Sequence, residues 1–434
     1  MSPRPERNRR TRLAVLAGVL VLLGGAALAY VLLKGRGSDI SHPSAAFTPE
    51  PAARKPRPKA FAWPLYGYTK NHVRNFPAAA SFGPPFRRLW TYRGPALLEF
   101  PPVIANGLIY QLADDGFVHA LDPRTGRVRW QRRLGVLAAS SPAAGRRSLY
   151  LTLLARAKGA PGRVVALDAR RGHLQWSHDL PSRSESSPLL DGNRLYFGTE
   201  GGTVYALRAR DGKTLWTYHA QGAVKGSPTL KDGVLYFGDY GGQVQAVRAR
   251  DGRRVWSTAS NGAVVGSGTF YATACVVNGR VVIGNTDGRV YSFVASNGKL
   301  AWARQTGNYV YGSAAYADVP GIGPTVYVGS YDGSFYALDA RTGRTRWENP
   351  IGGRISGSAT IVGRVVYLAN LGAHQTVGLD IRTGHRVLTF PDGGFDPVIA
   401  DGSTVYLTGY DNLYALQPRR HRGAGSRAPR RSRH

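Results

Sequence analysis

Residues Ala337-Leu338-Asp339-Ala340-Arg341-Thr342-Gly343-Arg344-Thr345-Arg346-Trp347 read as a strand, a tight Thr-Gly turn and a second strand ending in an indole. The phrase returns at Ala120–Trp130, and looser copies end at Trp176, Trp216, Trp256 and Trp302. One further copy, Gly378 to Leu388, has leucine where the tryptophan would stand, and Trp90 ends an isolated second strand. Self-similarity at about 40–45 residues is the period of a four-stranded propeller blade, a unit that buries its apolar faces only by stacking on copies of itself.

The count of blades follows from two strands without partners. Eight small-apolar strands precede the turns, and the last, Leu413–Leu416, has no outer strand after it. Conversely, Phe86–Tyr92 is an outer strand with no blade before it. Joined, they complete an eighth blade, and closure removes the unpaired edges that an open ring would leave. The expected fold is all-β: an eight-bladed β-propeller of four-stranded antiparallel blades with velcro closure, preceded by one N-terminal transmembrane helix. Asp-Gly and Gly-Gly pairs, as in Lys225–Ser257, supply the positive φ that two-residue hairpins need.

The ends of the chain have a different character. Leu13–Leu33 is an uncharged apolar run long enough to span a bilayer, and five arginines precede it. The positive-inside rule then puts residues 1–12 in the cytoplasm and the body outside. Ala27-Leu28-Ala29 offers the alternative of a cleaved signal peptide and a secreted protein, but the apolar run continues past it. Residues 34–60 read as a Pro/Ala-rich linker, 61–417 as the propeller and 418–434 as a disordered basic tail. Net charge is +31, with 11 Lys/Arg against 3 Asp/Glu in residues 1–60 and 7 against none in residues 419–434. The basic tails fit an anionic cell-wall polymer or lipid headgroups. Nucleic acid would suit the charge but not the export.

Antiparallel parity fixes which loops share a face. The links between blades and the turns between second and third strands lie on one end, the top; the other turns lie on the bottom. Leu153–Gly162 is a top insertion, while Phe270–Val276 and Ala317–Pro324 are assigned to the bottom, where Phe270, Tyr271 and Tyr316 would share an apolar bump. Each innermost strand opens with a Gly/Ser signature, as in Glu185–Pro188, Lys225–Pro228, Val265–Gly268 and Tyr311–Ala314. The residue before the signature varies in charge and size, so Glu99, Glu185, Lys225 and Tyr311 are the candidates for a top-face ligand or peptide site.

The phrase A-x-D-x-x-T-G-x-x-x-W, with the lead-in Trp63-Pro64-Leu65-Tyr66-Gly67, Arg74 and Leu89-Trp90-Thr91-Tyr92, resembles the repeat of the quinoprotein dehydrogenase superfamily over about Phe61–Leu416. The resemblance implies that Trp90, Trp130, Trp176, Trp216, Trp256, Trp302 and Trp347 dock between blades as a girdle. Its enzyme branch uses pyrroloquinoline quinone (PQQ) under a vicinal disulfide, with calcium held by Glu and Asn and an Asp base. Its non-enzymatic branch includes an outer-membrane assembly lipoprotein.

A single cysteine, Cys275, excludes that disulfide, and no Glu-Asn-Asp set carries over residue by residue. Ser177-His178-Asp179 is contiguous on a strand, so its side chains alternate faces and form no triad. Ten scattered histidines show no metal spacing. The expectation is a membrane-anchored, extracytoplasmic, non-catalytic scaffold that binds an envelope protein or peptide and carries no cofactor or metal. A quinoprotein dehydrogenase and a structural cell-wall tether stay open.

Overall fold

Two burial patterns separate the strands. Val234–Gly238 and the central residues of Gln243–Arg248 are buried on both faces, as strands sandwiched between neighbouring sheets must be. Thr214–His219 alternates exposed and half-buried positions, the signature of an outer strand. In the computed structural model, which describes residues 39–50, 62–79, 81–155, 161–260, 268–395 and 398–419, these strands build eight antiparallel blades. The residues of the basic tail 1–12 and the apolar run 13–33 lie outside the described residues, as does the basic tail from 420. Among the described residues no helix is long and apolar enough to cross a membrane.

Closure takes the expected form. Phe86–Arg93 pairs with Asn412–Pro418, Phe86 opposite Pro418 and Tyr92 opposite Leu413, completing the blade of Val398–Ala400 and Val405–Thr408.

The repeated phrase is a docking device. Asp339 Oδ1 accepts the N–H groups of Arg341 and Thr342 at 2.9 Å each and the Thr342 hydroxyl at 3.1 Å, shaping the turn. Gly343 then adopts φ +75°, and a Cβ there would stand 2.8 Å from the indole of Trp302 on the preceding blade. That indole donates its N–H to the Ala340 carbonyl at 3.0 Å. Seven tryptophans repeat the bond at 2.8–3.3 Å, each to the next blade's turn between third and fourth strands. Each bond is worth about 1 kcal/mol net, with ring burial added. The small alanine of the phrase lies opposite the indole, as Ala337 opposite Trp347.

Leu388 now has a reason. It would dock on the eighth blade, whose third and fourth strands come from opposite ends of the chain, so no turn joins them there to receive an indole.

Two segments outside the blades fasten the ring. Residues 39–50, within the stretch read as linker, lie against the outside of blade five. Ile40–Ser41 adds a fifth strand opposite Ala303 and Trp302, and Arg280 donates to the Ala45 and Ala46 carbonyls. This strap enters at the top, where Asp39 pairs with Arg304, and leaves at the bottom, where Glu50 meets Lys231.

The lead-in 63–76 crosses the bottom of the axis and bonds to the blades in turn. Trp63 pairs with Ile104, the Pro64 carbonyl accepts Ala144 N–H, Lys70 accepts Leu230, Asn71 accepts Val276, Val73 accepts Tyr316 and Arg74 accepts Ile361. His72, wholly buried in this plug, meets Thr229 Oγ1 at 2.8 Å through Nδ1. Burial, and then the Arg74 charge, hold its imidazole down at about 3.

The insertions need one correction. Leu153–Gly162 lies between second and third strands and Ala317–Pro324 in a bottom hairpin, as expected. In blade five, however, Cys275–Val277 is the innermost strand and its bottom turn is only Asn278-Gly279. Phe270 and Tyr271 therefore belong to the top link, and the bump with Tyr316 does not exist. Tyr316 instead accepts a bond from Asn278 at 2.7 Å on the bottom.

Candidate functional site

The innermost strands converge on the axis, where only small side chains fit, and their hydroxyls tie the blades together. Ser141 N–H donates to Ser187 Oγ, Ser227 N–H to Thr273 Oγ1, Thr273 N–H to Ser313 Oγ and Ser313 N–H to Ser358 Oγ, at 2.9–3.1 Å. Val265–Gly268, expected to supply blade five's signature, falls mainly on residues outside those described; Thr273 holds the ring position. Tyr66 rises from the plug to meet Ser358 Oγ at 2.9 Å. The axis is thus filled below and open above.

Above the ring lies a cavity of about 250 Å³ whose lining includes all four candidates, Glu99, Glu185, Lys225 and Tyr311. Tyr66, Phe100, Tyr240, Tyr271, Tyr331 and Phe395 supply aromatic walls. Tyr311 is their centre, with ring centroids 4.9 Å from Tyr331, 5.6 Å from Tyr271 and 5.7 Å from Tyr309. Edge-to-face tyrosines of this kind form a stiff surface with polar tips.

The opposite wall is charged. Lys225 Nζ lies 2.9 Å from Glu185 and 3.0 Å from Glu200, and 5.5 Å from the Tyr240 ring centroid. Arg183 binds Glu200 from outside at 2.6 Å. Burial and a hydrogen bond with Glu200 push the Glu185 carboxyl upward. Burial acts on Glu200 in the same direction, but bonds from Arg183, Glu185 and Lys225 outweigh it and hold that carboxyl at about 2. For Lys225, burial is outweighed by the Glu185 hydrogen bond and charge, which keep the ammonium protonated. The wall offers a ligand hydrogen bonds of both polarities; its ring hydroxyls are already committed and no histidine lines it.

Sequence reasoning missed Tyr271, Tyr240, Tyr331, Glu200 and Arg183. Glu200, Tyr240 and Tyr331 occupy the same repeat column, two residues after a strand-ending glycine (Gly198, Gly238 and Gly329). The available signal was that position itself, a large polar side chain set at the top turn of successive blades.

A calcium-bound quinone would need a thiol pair and a free carboxylate set at this cavity. Cys275 is buried at the bottom of blade five, where burial pushes its thiol up to about 12. Among the described residues no group of three or more His, Cys, Asp or Glu stands where it could hold a metal ion. Glu185 and Glu200 already share the Lys225 ammonium, so the donor set does not fit such a group.

A family model described as outer membrane protein assembly factor BamB matches residues 87–179, 160–314 and 312–420. No curated protein sequence matches. Among solved structures, BamB from Moraxella catarrhalis is similar at TM-score 0.63 and 18% identity, covering 76% of this chain and 99% of that one. Quinohemoprotein alcohol dehydrogenase from Pseudomonas putida HK5 is similar at TM-score 0.68 and 14% identity, covering 82% and 80%. A europium-containing methanol dehydrogenase gives TM-score 0.69 and 13% identity, covering 82% and 98%. At these identities the likeness is one of fold.

Proposed function

The chain belongs to the family described as outer membrane protein assembly factor BamB, and from that membership we propose that it is a non-catalytic binding scaffold of the cell envelope. In this reading residues 13–33 anchor it in the cytoplasmic membrane, the propeller stands outside, and the top cavity receives a side chain or short segment of an envelope protein.

One observation carries the reading: the axis is plugged below and opens above into a pocket walled by tyrosines and by the half-buried ion pairs of Lys225 with Glu185 and Glu200. Such a pocket suits recognition by stacking and hydrogen bonding.

The test is a photo-crosslinking residue at Tyr309, on the top rim, and separately at Leu174, on the outer edge. One discrete adduct from the rim alone, lost in a Tyr311→Ala/Lys225→Ala variant of unchanged melting temperature, is expected. Equal adducts from both positions would remove the pocket from the proposal. The likeness to dehydrogenases supplies the competing arm: calorimetric titration with PQQ and calcium should give no heat, and stoichiometric binding would favour an oxidoreductase.

A further inference from the structure

The strong positive charge of the propeller is segregated onto one face. Seven turns between third and fourth strands project from the bottom, and each carries an exposed cation: Arg127, Arg171, Arg210, Arg250, Lys299, Arg344 and Arg382. The eighth blade has no such turn, yet Arg87 and Arg88 stand exposed at the same end of its outer strand, so the ring of charge closes.

Acidic residues on these turns cancel it only in part. Asp122, Asp168, Asp339 and Asp380 accept the N–H groups of their own turns, whereas Asp211 and Asp251 pair with Arg210 at 3.7 Å and Arg250 at 3.2 Å, so the cations of the other five turns carry most of the free charge. The top turns between second and third strands that bear Asp115, Glu200, Asp239, Asp287, Asp332 and Asp411 carry no arginine or lysine to match. Docking of the tryptophans needs only the Asp, the Gly and a backbone carbonyl of each turn, so packing does not require arginine beside them.

We infer that the bottom face is a docking surface for an anionic phosphodiester polymer of the envelope. Charge complementarity is the first argument, since one exposed cation per blade presents a continuous track to a chain of phosphates. The second is the length of chain outside the structure. Only residues 34–38 separate the apolar run from Asp39, which is fastened at the top of blade five. Fully extended, they reach less than about 20 Å. This part rests on the proposed anchor: if residues 13–33 span the bilayer, the strap turns the top rim toward the lipid and the arginine ring away from it. The ring then faces what lies beyond the membrane, and the occupant is the polymer rather than the bilayer.

The full chain is placed in phosphatidylcholine nanodiscs and titrated with long-chain inorganic polyphosphate. Arg127→Glu/Arg171→Glu/Arg344→Glu reverses three bottom charges, and Arg93→Glu/Arg133→Glu/Arg354→Glu reverses three top ones for the same change in net charge. The bottom triple should weaken binding at least about tenfold, and the top triple by less than about twofold. A bottom triple to Gln repeats the comparison if the Glu variant misfolds. Equal losses in both triples would mean that net charge alone binds, and no loss in either would assign binding to the terminal tails. Bottom-dependent capture of phosphatidylglycerol vesicles without polyphosphate binding would make a bilayer the occupant. Each of these three results overturns the inference. The assay reads the ring directly, so it fails independently of the anchor, which protease accessibility reads.

Discussion

At the scale of single residues, Asp339, Thr342, Gly343 and Trp347 were legible because their tasks are local. The aspartate and threonine shape a turn, the glycine takes positive φ, and the indole meets the next copy of the same turn. Glu185, Lys225 and Tyr311 were legible for a different reason: they precede a repeated signature and so share its height on the axis, and Glu99 stands in register with them. Tyr271 was not, because a long link separates it from the preceding blade and the Gly/Ser signature in that link suggested another register.

His72 yields a prediction at this scale. Its imidazole is held at about 3 in the folded protein against an ordinary 6.5, so the unfolded chain binds the extra proton. Its contribution is therefore intact above pH 6.5 and falls by about 1.4 kcal/mol per pH unit as pH drops toward 3. His72→Gln should flatten the acid limb of a urea-midpoint against pH curve by one proton. An unchanged slope would mean that His72 charges without opening the plug.

At the scale of elements, strand number and closure were readable from two orphan strands, whereas the strap was not. Residues 39–50 contain no alternating pattern, and Ile40–Ser41 is a strand only because blade five offers an edge. Its effect is visible on Trp302, fully buried beneath the strap while most of the girdle tryptophans stay partly exposed. The eighth blade gives the prediction. Deleting Phe86–Tyr92 removes its outer strand and strips the Asn412–Pro418 edge, so the melting temperature should fall by several degrees. Leu388→Trp, in contrast, should bring no stabilisation, since no turn awaits the indole. A truncated protein as stable as the parent would contradict the closure.

At the scale of the whole molecule, net charge was readable from composition, but its segregation was not. Only the alternation of turns between two faces, fixed by an even number of strands per blade, gathers the arginines on the bottom. Topology belongs here as well: protease added to intact spheroplasts should digest the propeller, and full protection would place it on the cytoplasmic side.

The plug has a further consequence, in time rather than space. Residues 63–76 and 86–93 emerge from the ribosome before the strands they bind, which extend to Ile361 and on to Pro418. The beginning of the chain must wait for its end, because no partial set of blades offers it a complete seat. A nascent chain stalled anywhere before residue 412 would hold these segments loose and its last blade open. The finished ring, once threaded, cannot shed a blade without drawing out the cord that runs beneath them all.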